Sequence, residues 1–191
     1  MDDDDAALLE AWRTGDRQAG TLLVERHFVA LYRFFRSKVS SDIDDLVQQT
    51  VMGCLEARES FRGEACFRTL LFRIARRRLY DHFRVRRRLA NIDFTISSVL
   101  ALGTTPSAAL HRRDMVSLVR EALQELPVDD QMLIELRYWE DMSTEQLADV
   151  FEVAVGTIKS RQSRARARLL DRLRERGVQD LPLQRALSPQ P

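Results

Sequence analysis

Apolar positions recur at helical spacing along nearly the whole chain. They predict helices over about 6–14, 17–38, 43–60, 66–88, 114–125, 128–140, 144–151 and 155–175. Punctuation supports these limits. Asp16 and Asp42 stand where N-caps are expected, Gly63 breaks the chain before the fourth helix, and Ser143-Thr144-Glu145-Gln146 has the form of a capping box. Between about 90 and 112 the period fails, and Ser, Thr, Gly and Pro take over around Ser97-Ser98 and Gly103-Thr104-Thr105-Pro106. This stretch is expected to be a flexible linker, although Ile92, Phe94, Ile96, Val99 and Leu100 give it apolar positions that could cover a partner. The fold expected is all-α: two small helical domains, 1–89 and 113–176, joined by the linker 90–112 and followed by a loose tail, 177–191.

Composition narrows the class. Hydrophobic residues make up 45% and charged residues 31%, the balance of a chain that folds. No apolar run approaches the roughly 20 residues of a membrane span. Asp2 to Asp5 are acidic where a signal peptide would be basic and then apolar, so a cytoplasmic location and no membrane partner are expected. Cys54 and Cys66 lack metal or redox spacing and read as reduced packing residues. His27, His82 and His111 are scattered, which leaves no metal site and no cofactor in view.

The net charge of +1 conceals a segregation. Residues 68–88 hold nine arginines against Asp81, and 154–176 hold eight basic residues against Asp171 and Glu175. Residues 1–60 carry twelve acids against seven basic residues, and 121–152 carry ten acids against Arg137. Two basic stretches set apart by acidic ones fit two contacts with a polyanion, or two solvated arginine-rich helices. The pattern inside each stretch bears on the choice.

In the last third, a short helix with Leu147, Ala148 and Phe151 is followed by a turn at Glu152-Val153-Ala154 and a second helix from Val155. Val155, Ile158, Ala165, Leu169 and Leu173 fall on one stripe of it. The opposite side carries Gly156, Ser160, Ser163 and Ala167, flanked by Lys159 and Arg164. Small residues at the centre let a helix sit deep in a major groove, while basic residues at the edges reach bases or phosphates. Thr157, Arg161 and Arg166 stand nearer the flanks and suit phosphate contacts. A helix merely packed on a bundle would carry longer polar residues there.

On the 66–88 helix, Phe67, Leu70, Leu71 and Ile74 form the expected inward stripe. With Ile74 as reference, Thr69, Phe72, Arg73, Arg76, Tyr80, Phe83, Arg84 and Arg87 gather on the far side. Arginines interleaved with aromatics suit single-stranded or unstacked nucleic acid. Packing under a neighbouring helix is the alternative; it is the preferred reading for Phe72, and for Phe83 the two stand even. Asp81 is expected on the inward side, as a structural ion-pair partner of Arg77, Arg78 or Arg84. The 43–60 helix should bury Ile43, Leu46, Val47, Cys54 and Ala57. Its other face shows Asp45, Gln48, Gln49, Met52 and Leu55, where two outward apolar residues suit either a protein partner or a further core contact.

Two blocks of residues carry a resemblance. Leu126-Pro127, the run Leu133 to Ser143, Val155-Gly156-Thr157-Ile158-Lys159-Ser160-Arg161 and Arg164-Ala165-Arg166 resemble region 4 of extracytoplasmic-function sigma factors, of the sigma-70 family. Asp42 to Thr50 resembles region 2.2 of that family, and Phe67 to Arg77 with Asp81-His82-Phe83-Arg84 resembles regions 2.3 and 2.4. The resemblance covers about 20–88 and 114–173, in the family's order. It implies a region 2-like helical bundle and a region 4-like helix-turn-helix. It implies a transcription initiation factor that binds core RNA polymerase and directs it to promoters, and not an enzyme.

The implied minus-thirty-five contacts are Thr157, Lys159, Ser160, Arg161, Ser163, Arg164 and Arg166. The implied minus-ten contacts are Phe61, Arg62, Arg73, Arg76, Arg77, Tyr80, Phe83 and Arg84, with the loop from Phe61 to Phe67 taking a flipped base. The polymerase contacts are Asp44, Asp45, Gln48, Gln49 and Met52. Implied partners are promoter DNA, the β′ clamp helices and β flap of the polymerase, and an anti-sigma factor. Three positions depart from the pattern: Leu70 where Trp is usual, Arg77 where Asn is usual, and Glu152 where a turn commonly has Gly.

Two rivals remain. A regulator of the LuxR type would explain 126–173 but not the block from Asp42 to Arg84. A small helical nuclease would need clustered acids or a nucleophile with its base, and the sequence offers neither.

Overall fold

The computed structural model describes residues 2–57, 66–90 and 115–178. Eight helices occur among the described residues: α1 (Asp2–Arg13), α2 (Arg17–Arg36), α3 (Ile43–Ala57), α4 (Phe67–Ala90), α5 (Met115–Gln124), α6 (Val128–Tyr138), α7 (Thr144–Phe151) and α8 (Val155–Glu175). The chain divides into two compact units, built mainly on α1–α4 and α5–α8. The linker expected over 90–112 and the tail after Gly177 fall almost wholly outside the described residues.

In the first unit α1 begins at Asp2, four residues earlier than the apolar pattern indicated. The helix closes at Gly15 (φ 109°), where the N–H of Asp16 reaches back to the carbonyl of Ala11 at 2.9 Å. Asp16 then caps α2 as expected, its Oδ1 accepting from the N–H of Gln18 at 2.8 Å and of Ala19 at 3.2 Å. Asp42 does not cap α3 with its side chain. Its carbonyl accepts from the N–H of Leu46 at 3.0 Å, but the residue is left-handed (φ 63°) and its carboxylate turns to Ser41 and Arg86.

The core of this unit gathers Leu9 and Trp12 of α1, Leu23, Leu31, Phe34 and Phe35 of α2, Leu46, Val47 and Cys54 of α3, and the buried arc of α4. Burial pushes the Cys54 thiol up to about 12, so it is an inert apolar filler. Helices α3 and α4 approach closely at Gly53, where an added Cβ would lie 2.9 Å from Ile74 Cγ2.

The α4 arc differs from the expected one. Ala75 and Leu79 are fully buried and mark its centre, about a third of a turn from Ile74, which is only half-buried. Phe72 therefore joins the core, with its ring 5.6 Å from that of Phe34, and Thr69 is buried as well. A single stripe underestimates burial because α4 is covered by both α2 and α3. Asp81 is exposed and not inward; its Oδ1 faces Arg84 Nη1 at 3.3 Å.

In the second unit the capping box forms as expected. The N–H of Ser143 donates to Gln146 Oε1 at 2.8 Å, and the N–H of Gln146 donates to Ser143 Oγ at 3.1 Å. The core of this unit gathers Leu123 and Leu126, Met132, Leu133 and Leu136 of α6, Leu147 of α7, and Ile158, Ala165, Leu169 and Leu173 of α8. Each of the leucine, isoleucine and methionine side chains among them contributes about 1.5–3 kcal/mol of transfer free energy.

Candidate nucleic-acid interface

On α8 the small residues Gly156, Ser160, Ser163 and Ala167 are exposed, as are Lys159, Arg164 and Arg166. Thr157 and Arg161 are half-buried on the flanks. A Cβ at Gly156 would meet nothing within 4 Å, so this face is open to its first turn. Ser160 Oγ donates to the Thr157 carbonyl at 2.9 Å, and Arg164 Nε to the Ser160 carbonyl at 3.3 Å, which lays these side chains along the helix.

The eight basic residues of 154–176 divide into two sets that the sequence reading did not separate. Arg168 pairs with Asp130 of α6, Arg172 with Glu175 at 2.9 Å, Arg174 with Asp171 at 2.9 Å, and Arg176 with Glu125. Lys159, Arg161, Arg164 and Arg166 form no ion pair among the described residues. The i, i+3 spacing of Asp171–Arg174 and Arg172–Glu175 was a sequence signal for half of this division. The contacts from Asp130 and Glu125 needed the fold.

The turn into α8 has one strained residue. Glu152 is left-handed (φ 56°), the conformation for which glycine is usual, and the N–H of Val153 closes the turn on the Ala148 carbonyl at 3.1 Å. The geometry expected of a glycine is kept, at a cost in backbone strain.

On α4, Arg84 and Arg87 are exposed, Arg77 is exposed, and Arg73, Arg76 and Tyr80 are half-buried. The Arg76 guanidinium lies 5.0 Å from the centre of the Tyr80 ring. Arg68, Arg73 and Arg78 form no ion pair among the described residues. Phe83 is 7% exposed, its ring edge-on to Tyr80 at 6.4 Å, and is not displayed on this face. Phe61 and Arg62 lie outside the described residues.

On α3, Asp44, Asp45, Gln48, Gln49 and Met52 are all exposed. Gln49 Nε2 donates to Asp45 Oδ2 at 2.7 Å, so these two form one polar unit. Met52 is 48% and Leu55 37% exposed, which makes them surface residues here and not core ones. Behind this face stands His82 of α4. Its own burial and the charge of Arg86 hold its pKa below the ordinary value, against the opposing pull of Asp42 and Asp45. Its Nε2 is buried without a hydrogen-bond partner.

Residues 23–89 match the family model for sigma-70 region 2, and residues 117–169 the model for sigma-70 region 4. The ECF RNA polymerase sigma-E factor of Haemophilus influenzae is 33% identical over 172 residues, spanning 85% of this chain and 91% of that protein. The chain belongs to the extracytoplasmic-function group of the sigma-70 family. The Escherichia coli K12 sigma-E factor is similar at 31% identity over 173 residues, 85% of this chain and 90% of its own.

Two solved structures share the fold of this sigma factor. One is CnrH in complex with the cytosolic domain of CnrY, with a TM-score of 0.65, 27% identity, and coverage of 90% of this chain and 98% of that one. The other is the sigma factor RpoE in complex with the anti-sigma factor NepR from Bartonella quintana, with a TM-score of 0.62, 32% identity, and coverage of 83% and 97%. The match at 23–89 excludes the LuxR-type reading, which accounts only for the last third. Of the departures from the family pattern, Leu70 is buried and acts on packing, whereas Arg77 is exposed and its charge is met by the Glu152 carboxylate. No helix among the described residues is long and apolar enough to cross a membrane, and no cluster of His, Cys, Asp and Glu there is placed to hold a metal.

Proposed function

We propose that this sigma factor, which binds core RNA polymerase and directs it to promoters, engages DNA through two separate surfaces. The exposed face of α8 reads the minus-thirty-five element. Lys159, Ser160, Ser163 and Arg164 approach base edges, and Thr157, Arg161 and Arg166 fix the helix on phosphates. The α4 face of Arg73, Arg76, Arg77, Tyr80, Arg84 and Arg87 takes the minus-ten strand as it unstacks; the free energy of opening comes from tighter binding to melted than to paired DNA. Residues 1–89 act as the polymerase-binding and minus-ten domain, and 113–176 as the minus-thirty-five domain. The α3 face of Asp44, Asp45, Gln48, Gln49 and Met52 docks on the β′ clamp helices.

The observation that carries this reading is the division of the α8 cations. The four around the small-residue face form no ion pair among the described residues, Lys159 only lying in the field of Glu145, whereas each of the four beyond it is paired with a carboxylate. An anti-sigma factor is a further partner, supported by RpoE of Bartonella quintana being bound to NepR. Transcription in vitro with core polymerase on a genomic library tests the function and yields the promoter. The expected result is a set of start sites sharing two spaced upstream elements. Start sites no different from those of core polymerase alone would reject it.

A further inference from the structure

Helix α1 lies outside both matched regions, yet it is tied to the unit by unusually specific contacts. Asp5 is only 3% exposed, and a carboxylate buried to that degree must be compensated. Both of its oxygens are engaged: Oδ1 accepts from Arg26 Nη1 at 2.6 Å, and Oδ2 meets His27 Nε2 at 2.6 Å. The His27 ring held in this way leans on the ring of Phe67, with centroids 5.6 Å apart. Trp12 meets the same Phe67 ring edge-on at 6.2 Å. Trp12 also requires the glycine opposite it, since a Cβ on Gly20 would lie 2.4 Å from the indole Nε1.

Phe67 is the first residue of α4 and is 1% exposed. The next turn is fastened just as locally, with the N–H of Thr69 on the Cys66 carbonyl at 3.0 Å and Cys66 Sγ against Thr69 Oγ1 at 3.1 Å. A helix transmits a displacement at its start along its length, and Arg76 stands nine residues on, roughly 14 Å from Phe67. The α3 face, in contrast, is set on α4 through the close approach of Gly53 and Ile74.

We propose that α1 is a brace for the nucleic-acid face of α4, with Asp5 and Trp12 as positioning residues that fix Phe67 and so aim Arg73, Arg76 and Tyr80 at the opened promoter strand. The proposal rests on the assignment of that face to the minus-ten strand. Asp5 acts through His27, and Trp12 acts directly on Phe67. Neither residue needs to touch DNA or polymerase.

The test uses holoenzyme reconstituted from core polymerase and the full-length chain carrying Asp5→Asn, Trp12→Ala or Trp12→Phe. It is run at a temperature where far-UV circular dichroism matches the parent. Two affinities are read: for core polymerase, and for a fork-junction DNA with a single-stranded minus-ten segment. The expected result is unchanged core affinity with fork binding weakened by about tenfold for Asp5→Asn and Trp12→Ala, the worth of roughly one stacked base. Trp12→Phe, which keeps an aromatic edge on Phe67, should recover most of the loss. Should Trp12→Ala fail to fold, the isosteric Asp5→Asn carries the comparison alone.

Fork affinity equal to the parent's overturns the brace, and so does a parallel fall of core and fork affinity, which marks a purely structural role. A parent that binds the fork no better than the matching duplex rejects the minus-ten assignment of α4 itself, and the brace falls with it.

Discussion

Arg164 and Arg166 are both exposed and both unpaired, yet they stand differently on α8: Arg164 borders the small-residue face and Arg166 lies further round. A lost base contact costs about 1–3 kcal/mol at one position, while a lost phosphate contact weakens all sequences and flattens the salt dependence. Arg164→Ala is expected to blunt discrimination between the true upstream element and a point mutant of it. Arg166→Ala should lower both affinities by a similar factor. Duplex binding at two salt concentrations separates the two, and an equal loss on both duplexes for Arg164→Ala would rule out direct readout by that residue. Glu152 gives a backbone test. Left-handed φ costs any side chain, so Glu152→Gly should be more stable than Glu152→Ala by about 1 kcal/mol, read by urea unfolding. Both variants lose the carboxylate, so the difference reports the backbone: strain relieved in the fold, net of the freedom glycine gains in the unfolded chain. His82 gives a pH test. Its folded pKa is depressed, so the unfolded chain binds the proton more readily. The stability it contributes is present above the ordinary His value of about 6.5 and is lost as pH falls through it. His82→Asn should flatten the decline in melting temperature between about pH 7 and pH 5, relative to the parent.

At the scale of elements, α3 is the simplest to test, because Asp45 and Gln49 form one hydrogen-bonded unit on its exposed face. Asp45→Arg with Gln49→Ala should weaken core binding by roughly tenfold or more, as expected for reversing a contacted charge, with helicity unchanged. Undiminished affinity in a competition assay would remove α3 from the interface. The exposed face of this element was also legible in the sequence, since one side of it is covered and a 3.6-residue period reports that directly, although Ile43 and Ala57 are only half-buried. The Ser143–Gln146 box and the small-residue face of α8 were legible for the same reason: both are local. What escaped was non-local. Neighbouring helices on more than one side cover α4, so its buried arc is wider than a stripe: Thr69 moved inward and Asp81 out, while Phe72 and Phe83 took the packing under a neighbour that the sequence had left open. Asp5 looked like one member of an acidic run. Only the fold brings it to Arg26 and His27, more than twenty positions away in sequence.

For the whole molecule, opening and docking should separate. Arg76→Ala with Tyr80→Ala should cut the permanganate reactivity of minus-ten thymines, each lost stacking partner being worth about 1–3 kcal/mol, while initial binding to the upstream duplex is kept. Reduced transcription on a pre-melted bubble with normal transcription on a linear promoter is the pattern that contradicts this. The neutralised arginines at the end of α8 have a consequence of another kind. Arg168, Arg172, Arg174 and Arg176 are cancelled by carboxylates where they stand, and the chain as a whole carries only +1. From beyond a Debye length, about 10 Å at 0.1 M salt, such a molecule is nearly uncharged. Its unmatched cations act at contact, not at a distance, so long-range electrostatic steering contributes little to its encounter with a chromosome. The chain free of polymerase is therefore expected to be drawn only weakly to bulk genomic DNA, which binding to random duplex at two salt concentrations checks.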